Sequence, residues 1–128
     1  HAGAGVYDLA STEARRTSEF GAGIGRLWAH RKDPGPTALA TYLEAVAALN
    51  PGNELRYYPG SPALAGQWLR PQDRALLLEL HPQAQLALKQ NLRGDSRISV
   101  HARDCYEGLP ALVPPPIKSK AKIVRRPR

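Results

Sequence analysis

Residues 75–82 read Ala75-Leu76-Leu77-Leu78-Glu79-Leu80-His81-Pro82. Five of the first six side chains are apolar, and the run is short. Such a run suits a strand covered on both faces of a parallel sheet. Periodicity alone also allows a buried helix, but Pro82 has no N–H for a central sheet ladder and favours a strand that ends before it. The expectation is a strand over 75–80 with Glu79 at its carboxyl end.

Working outward toward the C-terminus, residues 82–92 read as a helix, with Pro82 at its start and Gly94-Asp95 beyond its end. Arg97-Ile98-Ser99-Val100-His101-Ala102 alternates and predicts a second strand. Asp104 follows it, residues 105–112 form one or two helical turns, and Pro114-Pro115-Pro116 ends the ordered pattern. Toward the N-terminus, Tyr57-Tyr58-Pro59-Gly60-Ser61-Pro62 reads as a turn into a helix. Ser61 is placed as its N-cap, Pro62 at its first position, and Leu64, Trp68 and Leu69 inward. Asn50-Pro51-Gly52-Asn53 closes an amphipathic helix over 37–49, whose buried face is Leu39, Tyr42, Leu43, Val46 and Leu49. Phe20, Ile24, Leu27 and Trp28 carry the same spacing in an earlier helix capped by Thr17 or Ser18, and Asp33-Pro34-Gly35-Pro36 separates the two. Helix, strand, helix, strand, helix predicts an α/β layer fold with a parallel sheet.

Apolar residues make up 42% of the 128 positions, enough for one packed core. No apolar run is long enough to predict a membrane span, and no signal peptide opens the chain. Cys105 is the sole cysteine, which excludes an intramolecular disulfide and fits a reducing compartment. His1, His30, His81 and His101 lack metal-ligand spacing, so no metal site is expected. The formal charge of +7 is a property of the end of the chain. Six of the 18 Lys/Arg residues fall in 118–128, where there is no acid, leaving 12 cations against 11 acids in 1–117. That basic tail is expected to be disordered and solvated, and it is the one segment with the charge to hold phosphates. Arg15, Arg16, Arg26, Arg31 and Lys32 are interspersed with acids and read as an ordinary solvated face.

Three features carry chemistry. Gly3 and Gly5 let the backbone turn tightly and approach a ligand, although most such pairs are simply turns. Glu79 lies where open α/β sheets bind ligands, beyond the carboxyl ends of strands, and can accept from the hydroxyls of a ribose. Its plain alternative is an exposed strand-end acid. Asp104 holds the equivalent place after the next strand. It can accept from an adenine amino group or cap the helix over 105–112. Gly5 and Glu79 are 74 residues apart, far more than the 20 or so of a dinucleotide fold, so the intervening helices would be an insertion.

His1-Ala-Gly-Ala-Gly5, Leu55-Arg-Tyr-Tyr-Pro-Gly-Ser-Pro62 and Leu78-Glu-Leu-His-Pro82, in that order, resemble the RlmJ family. That family methylates N6 of an adenine in 23S ribosomal RNA. The resemblance covers residues 1 to about 113 and implies a partial Rossmann-like class I methyltransferase sheet over 1–117, with a helical insertion at about 12–56. It further implies S-adenosyl-L-methionine as cofactor, 23S ribosomal RNA as partner and a cytoplasmic location, beside the expectation from the residues of no membrane or metal partner. It leaves the oligomeric state open. His1, Gly3 and Gly5 would line the methionine end of the cofactor, and Ser61 would touch it near the same end. Glu79 would take the ribose hydroxyls, and Asp104 with Cys105 would border the adenine, although the family often has glycine at the position of Cys105.

The family also has a strand and an N-terminal segment ahead of the position of His1, and an Asp-Pro-Pro-Tyr motif after that of Pro116. That motif holds the target amino group and stacks on the flipped base. Here residues 117–128 read Ile-Lys-Ser-Lys-Ala-Lys-Ile-Val-Arg-Arg-Pro-Arg. The expectation is therefore a fragment inactive alone, with a frameshifted or prematurely ended frame and no residue assignable as catalytic. Two other readings stand beside it: a non-catalytic RNA-binding fragment acting through the basic tail, and a non-functional truncated product.

Overall fold

The computed structural model describes residues 1–33 and 35–113. The expectations placed on the tail over 118–128 lie outside the described residues.

The elements run β1 (Val6–Asp8), α1 (Thr12–Thr17), α2 (Glu19–Ala22), α3 (Ile24–Ala29), α4 (Thr37–Ala48), β2 (Tyr57–Pro59), α5 (Ser61–Trp68), β3 (Ala75–Leu78), α6 (Pro82–Asn91), β4 (Ile98–His101) and α7 (Cys105–Leu112). Strands β3 and β4 pair in parallel, with Ala75 opposite Ile98 and Leu78 opposite His101. The alternation of helix and strand thus delivers the expected α/β arrangement. The register continues one step beyond the strands, where the Glu79 amide donates to His101 O at 3.1 Å.

Strand β3 is shorter than the apolar run and is not covered on both faces. Leu76 is 43% exposed and Leu80, past the strand end, 60%. The described parallel sheet has two strands, so part of this apolar surface has no neighbouring layer. Tyr57–Pro59 is a strand rather than a turn. It pairs antiparallel with β1 in the register Val6–Pro59, Tyr7–Tyr58 and Asp8–Tyr57.

The helix expected around Phe20 is broken into three. Ser11, not Thr17 or Ser18, caps the first of them, accepting from Ala14 N at 3.2 Å. Ser18 adopts a left-handed φ of 52° at the joint and makes no side-chain cap for α2. Asn50 is more than part of a helix stop: its buried side chain organises the segment that follows. Its amide donates to Val46 O and Tyr57 O, and its carbonyl accepts from Arg56 N and Tyr57 N, all at 2.8–2.9 Å. Every bonding position of the amide nitrogen and both carbonyl lone pairs are used. Asn50 therefore fixes the chain where it leaves α4 and enters β2.

The main core lies against β1 and β2, where Leu9, Ile24, Trp28, Leu43 and Val46 form a buried cluster flanked by Phe20, Leu27, Tyr42, Leu55 and Tyr58. The helical spacing of Ile24 and Trp28, and of Leu43 and Val46, is what brings these faces together. In α5 the expected inward set is corrected. Trp68 is 56% exposed, and Pro62 and Ala63 are buried instead. Ser61 is not the N-cap either: Gly60 holds that place in an extended conformation, and its carbonyl accepts the first helical bond, from Leu64 N at 3.1 Å.

Candidate cofactor face

Two parallel strands that end in register place whatever follows them side by side. Glu79 follows β3 and Asp104 follows β4 after a short turn. The backbone nitrogens of His1 and Ala2 lie 2.7 and 3.0 Å from Leu78 O, which brings the opening glycine segment to the same end of β3. His1, Glu79, Asp104 and Cys105 consequently share a cavity of about 480 Å³, together with Leu80, His81 and Pro82. A neighbouring cavity of about 350 Å³ shares His1 and Cys105 with it and adds Ser61 and Ala2. Volumes of this order suit a small organic ligand.

Glu79 is buried, at 7% exposure, rather than the exposed acid of its plain alternative. Its Oε2 accepts from Gly3 N and its Oε1 from His81 N, both at 2.8 Å. The His81 and Gly3 amides hold its carboxyl below the ordinary value of 4.5, against the opposing effect of burial. It is an ionised acceptor at neutral pH. Its Oε1 keeps a lone pair beyond the backbone bond it accepts, while Oε2 also faces the His1 amino group at 3.5 Å.

Asp104 is the N-cap of α7. Its Oδ1 accepts from Tyr106 N at 2.8 Å and Glu107 N at 3.4 Å. The capping alternative is therefore realised, and it engages one of the two carboxylate oxygens. His1 and Tyr106 meet edge to face, with ring centroids 6.3 Å apart.

The two glycines have different roles. Gly3, at φ +70°, presents its amide to Glu79, and a methyl group there would collide with the Tyr7 hydroxyl. Gly5 adopts φ +79°, and neither glycine lines either cavity. A Cβ on Gly5 would lie 2.9 Å from Leu88 Cδ1, and Gly5 O accepts from Gly60 N at 2.8 Å. Gly5 lets the loop pack against α6 and β2. Leu80, His81 and Pro82, not expected as site residues, also line the first cavity; they adjoin Glu79 within the motif Leu78-Glu-Leu-His-Pro82. Among the described residues no group of three or more His, Cys, Asp or Glu side chains could hold a metal ion, and no helix is long and apolar enough to cross a membrane.

A family model described as ribosomal RNA large subunit methyltransferase D, RlmJ, matches residues 1–127. Ribosomal RNA large subunit methyltransferase J of Haemophilus influenzae is 42% identical over 116 residues, covering 90% of this chain and 41% of that protein. The protein of the same name from Escherichia coli is 44% identical over 115 residues, covering 90% of this chain and 40% of its own length. The chain thus spans about two fifths of the curated relatives it matches. A crystal structure of a Legionella pneumophila protein superposes with a TM-score of 0.79 at 35% identity, over 91% of this chain and 42% of that one.

Proposed function

Because the chain belongs to the RlmJ family of ribosomal RNA large subunit methyltransferases, we propose that its described residues form the cofactor face of an enzyme that methylates an adenine N6 in 23S ribosomal RNA. The methyl donor is S-adenosyl-L-methionine, whose sulfonium supplies an activated methyl group. A ribosomal substrate puts the reaction in the cytoplasm. Residues 1–117 act as part of the methyltransferase domain, with the helices over about 12–56 inserted between the glycine loop and the rest of the sheet.

The observation that carries this reading is the convergence of His1, Glu79, Asp104 and Cys105 on one cavity at the carboxyl ends of two parallel strands. The donor set fits a nucleoside. Glu79 is ionised, held rigidly by two backbone amides, and retains acceptor capacity at Oε1 for a ribose hydroxyl. Asp104 Oδ2 takes no part in capping α7 and can accept from an exocyclic amine. Ser61 and His1, in the adjoining cavity, extend the surface toward the end where a methionine moiety would lie. Cys105 borders both cavities. These residues bind and orient, and none is assigned to the transfer step. No Asp-Pro-Pro-Tyr occurs in the chain.

Calorimetric titration of the full chain with S-adenosylhomocysteine tests the proposal, repeated with Glu79→Ala and Ser61→Ala. The expected result is binding that Glu79→Ala abolishes and Ser61→Ala weakens. Unchanged affinity in a folded Glu79→Ala protein would remove the cofactor assignment.

A further inference from the structure

Two further cavities, each of about 640 Å³, lie where α1–α4 meet β1 and β2, separate from the cofactor face. They adjoin, because Leu9 and Phe20 line both. Their chemistry differs. The first carries three tyrosines, Tyr7, Tyr42 and Tyr58, with Phe20 at the junction. Tyr7 and Tyr58 are tilted rings 6.4 Å apart, and Tyr7 is 42% exposed. The second carries three arginines, Arg15, Arg31 and Arg56, and one acid, Glu54.

The arginines are not equivalent. Arg56 is already paired with Asp8, Nη2 to Oδ2 at 3.1 Å. Arg31 and Arg15 form no ion pair among the described residues. The Arg31 guanidinium lies 4.7 Å from the centre of the Trp28 ring, and its Nη1 donates to Trp28 O at 2.9 Å. A guanidinium held in this way has lost its freedom before any ligand arrives, while its remaining donors stay available. Trp28 is fixed in turn by its indole N–H, which donates to Asn53 O at 3.2 Å.

Aromatic faces beside a preset guanidinium, in a cavity where three arginines outnumber one glutamate, match one chemistry. Unpaired bases stack on aromatic rings while their backbone phosphates meet arginines. Each cavity has one glutamate, Glu19 at the tyrosines and Glu54 at the arginines, but only the second has cations to offset it, which sets the direction: base toward Tyr7, phosphates toward Arg15 and Arg31. We infer that this surface binds a single-stranded segment of RNA, at a place distinct from the cofactor face. The inference rests on the proposal that the substrate is RNA, and it adds where and in what form that RNA is held.

Fluorescence anisotropy of the full chain with a labelled single-stranded oligoribonucleotide tests it, with a duplex of the same sequence as competitor. Wild type is expected to prefer the single strand. Arg15→Gln with Arg31→Gln should reduce the salt slope by about 1.4, from about 0.7 per phosphate contact. Tyr7→Leu should weaken binding roughly tenfold at unchanged slope, as loss of one stacked base does. Arg31→Lys keeps a cation over Trp28 and should keep the slope; a slope lost equally in this variant would overturn the assignment. So would wild-type affinity and slope in the other variants, preference for the duplex, or no binding to the single strand. S-adenosylhomocysteine titration separates the two readings. Cofactor binding with RNA affinity indifferent to these variants sinks this surface alone. The stated RNA effects without cofactor binding sink the cofactor face and leave this surface standing.

Discussion

The Gly3 amide donates to the Glu79 carboxylate at 2.8 Å, joining segments 76 residues apart. One oxygen of the carboxylate holds the glycine loop, and the other holds the His81 amide at the start of the next helix. The same group that is proposed to take a ribose therefore also shapes the loop around it. Glu79→Gln turns one of these acceptors into a donor and leaves a backbone N–H facing it. The expected cost is about 1–3 kcal/mol in urea unfolding, alongside loss of S-adenosylhomocysteine binding. Stability equal to wild type would show that the two amides find other partners.

Acid should weaken the protein through the same group. Backbone amides hold the folded-state pKa of Glu79 below its ordinary 4.5, so the unfolded chain binds the proton more readily. The stabilisation is complete above the ordinary value and is lost as pH falls through the folded one. Asp95 behaves alike, its carboxyl pulled to about 2 by Arg97. Urea midpoints measured from neutral pH downward should stay level until near 4.5 and then decline, with a shallower decline in Glu79→Gln. A profile that rises on acidification would contradict both assignments.

Gly5 and Leu88 should show coupled energetics. Gly5→Ala places a methyl 2.9 Å from Leu88 Cδ1 in a backbone conformation that favours glycine, and overpacking of this kind costs about 1–3 kcal/mol. Leu88 is fully buried, so Leu88→Ala destabilises by about 2–5 kcal/mol. The double variant should be more stable than the sum of the two predicts, because the methyl enters the space that Leu88 vacates. Strict additivity in urea unfolding would mean that only the φ of Gly5 matters.

The parallel pair was legible because its signal is local. Ala75–Leu78 and Ile98–His101 are apolar or alternating runs with helix starts behind them, and the acids after each strand fall together as soon as the strands pair in register. Strands β1 and β2 were not legible. Each has three residues, too few for a period of two to show, and their pairing depends on a partner about 50 positions away. Trp68 misled for a different reason. Helical spacing identifies a face but not which face has a neighbour, and the neighbour of α5 covers Pro62 and Ala63. The glycines were found by composition, yet only a backbone φ and a measured approach separate Gly3, which serves Glu79, from Gly5, which serves packing.

Asn50 is expected to matter more to stability than any residue of the candidate site. Asn50→Ala strips partners from Val46 O, Tyr57 O, Arg56 N and Tyr57 N at once, and unsatisfied buried groups cost about 1–3 kcal/mol each. A loss of at least about 2 kcal/mol in urea unfolding follows. Asn50→Asp keeps the acceptor for the two amides but sets a carboxylate against the two carbonyls, so it should recover only part of that loss.

Ser61→Ala separates a cap from a cavity wall. A serine N-cap accepts a backbone N–H, and its removal costs typically about 1 kcal/mol. Ser61 makes no such bond, because Gly60 occupies the cap position and Ser61 is the first helical residue. Its exposed side chain borders the cavity that His1 and Cys105 share. The substitution should therefore leave stability within about 0.5 kcal/mol of wild type and weaken S-adenosylhomocysteine binding. The reverse pattern, a destabilised protein with unchanged affinity, would return Ser61 to the capping role that its sequence context suggests and take it out of the cofactor face.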